Sequence, residues 1–105
     1  MFNFGTTEKF DIKAPKSSPL GNFIKFIHKK ISEVIDNKPE TFYNFRLNVT
    51  EGAVRNMNYF HLSCNKESLK SFLECLDILL KLKHSKNKNL KKGFQEFKKH
   101  FPENL

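Results

Sequence analysis

His61, Arg46, Tyr43 and Tyr59 lie close together in a stretch whose side chains alternate between apolar and polar. They are residue types that move protons and steady anions. On one face of a hairpin, His61 would act as general base and Arg46 or a nearby lysine as oxyanion stabiliser. Tyr43 or Tyr59 would help, and the set would suit RNA cleavage through 2′-OH attack. It lacks a second well-placed acid or base, because His28 and His84 fall on or beside helices and His100 lies near the end. A single strand histidine is more often a hydrogen-bonded structural residue, so a small ribonuclease is the lesser reading and no enzyme is expected. His61 and Cys64 also form an H-x-x-C spacing, with Cys75 eleven residues on. On a strand that offset puts the two side chains on opposite faces, which argues for buried thiols rather than a metal site. No G-x-x-x-x-G-K, G-x-G-x-x-G, H-E-x-x-H or G-x-S-x-G occurs, and no cofactor is expected.

The same hairpin face reads more naturally as a contact surface. Phe42, Arg46, Met57, Tyr59 and His61 would project away from the helices, with Arg55 near the turn. Aromatics, Met and Arg are enriched at interface cores and hot spots. The set could equally stack single-stranded RNA bases. The bland alternative is a partly exposed face, or one covered by the N-terminal segment.

Charge supplies a second candidate. Residues 1–80 hold 11 bases and 9 acids, net +2, whereas residues 81–105 hold 8 and 2, net +6. Lys86, Lys88, Lys91, Lys92, Lys98 and Lys99 carry most of that excess, and a field gathered at one end selects an acidic partner. An acidic protein is expected first and nucleic-acid phosphates second. Lysine outnumbers arginine 17 to 2, which speaks against bidentate reading of bases. The bland reading is a solvated helix face.

The elements that must position these residues follow from periodicity. Phe2/Phe4 and Phe10/Ile12/Ala14 alternate around Gly5-Thr6-Thr7, as short strands would. Pro15 to Ser18 form a connector. Ser18 caps a helix with Pro19 at its first position. Leu20, Phe23, Ile24, Ile27, Ile31, Val34 and Ile35 make its apolar stripe, which Asn37 and Pro39 close, while Phe26 lies off it. Tyr43, Phe45, Leu47 and Val49 alternate with polar residues as a half-buried strand, and Glu51-Gly52 mark the turn. A second strand runs from about Met57 to Cys64, with Phe60, Leu62 and Cys64 inward. Asn65 caps a helix whose core stripe is Leu69, Phe72, Leu73, Leu76, Leu79 and Leu80. After a polar connector, a last helix of about Asn89 to Phe101 buries Leu90, Phe94, Phe97 and Phe101.

The expected fold is α+β: a small antiparallel sheet, made of the central hairpin plus possible N-terminal strands, covered on one face by three helices. A chain of 105 residues suits a single domain. No apolar run approaches the ~18 residues of a membrane span. The last helix has Phe on one side and Lys on the other, as an interfacial helix would, but its Phe stripe is needed as core, so no membrane contact is expected. Nothing resembles a signal peptide, so the expectation is cytoplasmic, with the Asn48-Val49-Thr50 sequon a chance match. The function expected is a non-catalytic binding protein, an inhibitor of the immunity or antitoxin type. The alternative is a basic nucleic-acid-binding protein using the last helix.

Overall fold

Period-two alternation builds the sheet. In the computed structural model, which describes residues 7–37, 45–52 and 56–102, the strands are β1 (Glu8–Pro15), β2 (Arg46–Gly52) and β3 (Met57–Cys64). The sheet order is β1-β3-β2, with β3 antiparallel to both neighbours. The hairpin expected from sequence is therefore present, and residues 8–15 complete the sheet on the far side of its second strand. Phe2, Phe4, Phe42, Tyr43 and Arg55 lie outside the described residues. β1 runs through Pro15, one residue into the expected connector, where an edge strand tolerates a residue without an N–H.

β1 and β2 are parallel edges separated by β3, so the chain must cross the sheet between them. Helix α1 (Pro19–Asn37) makes that crossing and touches all three strands. Its start is fixed locally. The Ser18 hydroxyl accepts from the Gly21 N–H at 3.0 Å and donates to the Pro15 carbonyl at 2.7 Å. Asn58 on β3 is 1% exposed and donates from Nδ2 to the Gly21 carbonyl at 2.9 Å, tying the helix start to the central strand. Phe23, Ile24 and Ile27 are fully buried, while Leu20 and Ile31 are half-buried at the rim of the stripe.

Helix α2 (Lys66–Lys83) is capped by Asn65, whose side-chain oxygen accepts from the Ser68 N–H at 2.8 Å. Leu69, Phe72, Leu76 and Leu80 are buried, with Leu73 and Leu79 only half so. Helix α3 (Lys88–Lys98) starts earlier than the apolar spacing indicated because Asn87 caps it, accepting from the Leu90 N–H at 3.0 Å. It ends at Lys98 and continues as a tight turn. There the His100 and Phe101 amides reach back three residues, carrying Phe101 to the core.

The three helices meet the sheet at one ring. Phe97 is fully buried, with centroid distances of 5.2 Å to Phe23 on α1, 5.2 Å to Phe60 on β3, 6.4 Å to Phe72 on α2 and 4.9 Å to Phe101. Phe101 passes the contact on to Phe10 of β1 at 4.8 Å. Close approach of α1 and α3 needs Gly93. A Cβ there would collide with the Pro19 carbonyl oxygen and stand 2.7 Å from the Phe23 Cβ.

Two substitutions test this packing. Phe97→Ala should cost about 3–5 kcal/mol, since no single neighbour can fill a hole bordered by four rings. Gly93→Ala should regain about 1 kcal/mol of helix propensity but lose about 3 kcal/mol to overpacking against backbone that cannot step aside. The net expectation is a loss of about 2 kcal/mol in urea denaturation; a neutral or stabilising result would show that α1 and α3 have room between them.

Candidate functional site

The helices cover one side of the sheet, and among the described residues nothing covers the other. Register fixes what that open face displays. Lys9, Ser63 and Arg46 form one cross-strand row; Asp11, His61 and Asn48 form the next; Lys13, Tyr59 and Thr50 form the third. All except the half-buried Ser63 are exposed. Pro15 and the half-buried Met57 continue the face toward the turn. Three bases against one acid, Lys9, Lys13 and Arg46 against Asp11, give these rows a net +2.

Of the residues expected on this face, Arg46, Met57, Tyr59 and His61 are there, all on the outward phase of their strands. The expected anchors differ in reach. Tyr59 is 37% exposed on the central strand, whereas Met57 is partly covered. Three residues not singled out from sequence complete the surface: Lys9, Asp11 and Lys13. The clue was present in the odd positions of residues 9–13, opposite in phase to Phe10, Ile12 and Ala14. Which strand they would join was not.

Asp11 matters most among them. Its carboxylate accepts a hydrogen bond from His61 Nδ1, across fifty residues of sequence. A carboxylate on Nδ1 favours the ring tautomer with its proton there, leaving Nε2 as the acceptor nitrogen. Beside the pair lies a shallow depression of about 260 Å³ lined by Asp11, Ile12, Lys13, Tyr59, Phe60 and His61. The arrangement can orient an imidazole toward a polar group docked on the sheet. Both side chains are well exposed, at 48% and 76%, so the pair contributes little to stability.

The lysine patch is a separate surface. Lys86, Lys88, Lys91, Lys92, Lys98 and Lys99 are all exposed, on α3 or next to its ends. α3 packs through Phe97 and Phe101 on the helical side of the sheet, so these lysines and the Arg46–Tyr59–His61 face belong to opposite layers. Lys98 Nζ stands 4.7 Å from the centroid of the Phe94 ring. Lys86, Lys88, Lys91, Lys92 and Lys99 form no ion pair with a described residue. Two aliphatic residues on α2 outside the expected stripe are also exposed, Ile78 at 54% and Leu82 at 77%.

The H-x-x-C spacing is divided by the sheet as the alternation requires: His61 is exposed outward and Cys64 is fully buried inward. Among the described residues no three His, Cys, Asp or Glu side chains gather as a metal would need. Burial, and after it the Glu8 charge, push the Cys64 thiol up to about 11. No protein-family model, curated protein or solved structure matches the chain.

Three outcomes follow from these environments. Iodoacetamide should modify the half-buried Cys75 well before Cys64 in the native protein, read by peptide mass. An unfolded thiol ionises near 9 and this folded one near 11, so its ionisation draws the chain toward unfolding as pH rises through that window. Cys64→Ser should therefore flatten the alkaline fall in stability between those values; an unchanged slope would place the effect elsewhere. Asp11→Asn should alter the His61 ring nitrogen shifts while changing stability by less than about 1 kcal/mol. A loss of several kcal/mol would make the pair structural.

Proposed function

We propose that this chain is a non-catalytic binding module whose open sheet face covers an acidic surface of a partner protein, as an immunity protein or antitoxin does. The observation that carries the reading is that face: three cross-strand rows, exposed except for Ser63, with Tyr59 on the central strand and a cationic excess around it. Tyr supplies a large contact area at low conformational-entropy cost, and Tyr and Arg are enriched at interface hot spots. Tyr59 and Arg46 anchor, Lys9 and Lys13 match acidic groups, and the oriented His61 offers Nε2 as a directional contact. The α3 lysines act at longer range, raising the encounter rate from outside the contact. Among the described residues no helix is long and apolar enough to cross a membrane, and the proposed site of action is the cytoplasm.

A second reading is favoured by the exposed lysines of α3. Lys91 and Lys92 on α3 and Lys99 at its C-cap are exposed and form no ion pair with a described residue, as a sequence-indifferent phosphate-binding surface would.

An inhibitor is commonly encoded beside its target, which makes the product of the adjacent gene the first protein to titrate. Arg46→Glu and Tyr59→Ala should each weaken that complex about tenfold or more by calorimetry, with Lys91→Glu/Lys92→Glu mainly slowing association. Unchanged affinity in both sheet-face variants removes the proposed contact. Binding to a random oligonucleotide that falls by orders of magnitude between about 50 and 200 mM salt would favour the phosphate reading instead. RNA cleavage lost in His61→Ala would overturn the non-catalytic assignment.

A further inference from the structure

Helix α2 carries two apolar stripes. The inward one, Leu69, Phe72, Leu76 and Leu80, is buried in the core. The other is Cys75, Ile78, Leu79 and Leu82, at i, i+3, i+4 and i+7, the spacing of a helix face that packs on something. Cys75 and Leu79 are half-buried, but Ile78 and Leu82 are 54% and 77% exposed and contribute little to the core. Two large aliphatic side chains one turn apart form a continuous apolar ridge, unlike the singly scattered exposed residues that need no explanation.

What surrounds the ridge identifies what it fits. Leu82 opens a shallow, exposed surface formed by the segment 82–88, which also carries Lys83, Lys86 and Lys88. None of these three lysines forms an ion pair with a described residue. The nearby Lys81 is paired to Asp77 at 3.0 Å. An apolar ridge bordered by exposed cations complements an amphipathic helix with aliphatic residues on one face and Asp or Glu beside them. A second copy of this chain fits poorly, because a two-fold contact through Leu82 would bring lysine against lysine.

We infer that the C-terminal half of α2, with Ile78 and Leu82 as anchors and Lys83, Lys86 and Lys88 as rim, is a docking site for an acidic amphipathic helix of a partner protein. The site is distinct from the open sheet face and stands or falls separately from it. The lysines set orientation and encounter rate, and the aliphatic pair sets the lifetime of the complex.

The test uses the full chain and a labelled synthetic peptide with Leu at positions a and d and Glu at e and g of each heptad. Fluorescence anisotropy should show binding, and replacing Glu by Lys in the peptide should abolish it. Leu82→Asp should weaken binding about tenfold or more, and Lys83→Glu/Lys86→Glu/Lys88→Glu at least as much. Arg46→Glu on the sheet face should leave binding unchanged, which separates this site from the proposed function. Far-UV circular dichroism and melting temperature should match the wild type in the Leu82→Asp variant, since that side chain is exposed. Wild-type affinity in Leu82→Asp, or no binding of the acidic peptide, overturns the proposal. So does binding to phosphatidylserine vesicles in place of the peptide, or a sedimenting dimer that Leu82→Asp dissolves.

Discussion

Every layer of this fold is held to the others through Phe97. Its ring meets Phe23, Phe60 and Phe72, so one side chain on the last helix joins α1, the central strand and α2. Phe101 extends the same contact to Phe10 on the edge strand. Tilted and edge-on ring pairs add to the area they bury, and a cluster of them resists sliding because each ring fills a gap shaped by the others. With all helices drawn to the inner face, the opposite face of the sheet has no covering layer among the described residues. The candidate binding surface is a consequence of where the aromatic cluster sits.

The polar exceptions in the interior serve the same end. Asn58 occupies an inward position beside Ala14, and there it donates to the first turn of α1 rather than packing as an apolar residue would. Gly93 allows α3 to lie against the start of that same helix. Both residues set the height and tilt of α1, which in turn sets the pocket that receives Phe97. The strand register sets Arg46, Tyr59 and His61 side by side on the outer face of the sheet.

Charge is distributed over more than one surface. The sheet face has its own modest cationic excess, the α3 flank has a larger one, and the end of α2 combines cations with exposed aliphatic residues. A small domain with several distinct exposed patches can engage a partner whose surface wraps it, or hold separate segments of that partner at once. The buried, weakly acidic Cys64 and the exposed His61 show how one strand divides its chemistry: alternate residues sit in opposite environments, and only the outward ones can act.

Sequence alone determined the local elements. Alternation between residues 45 and 64 marked a hairpin, Ser18 and Asn65 marked helix starts, and Leu90, Phe94, Phe97 and Phe101 marked one buried stripe, because caps and periodicity depend on neighbours a few residues away. It also put Arg46, Tyr59 and His61 on one strand phase. Only the tertiary structure decided that Asp11 meets His61, since pairing of distant strands is set by register and by which edge the first strand occupies. It decided, too, that Ile78 and Leu82 stay in solvent, because a helix with two apolar stripes can bury only the one its neighbours reach. The α3 lysines were visible as a charged run, but their separation from the sheet face depended on which side of the sheet the phenylalanines pulled that helix.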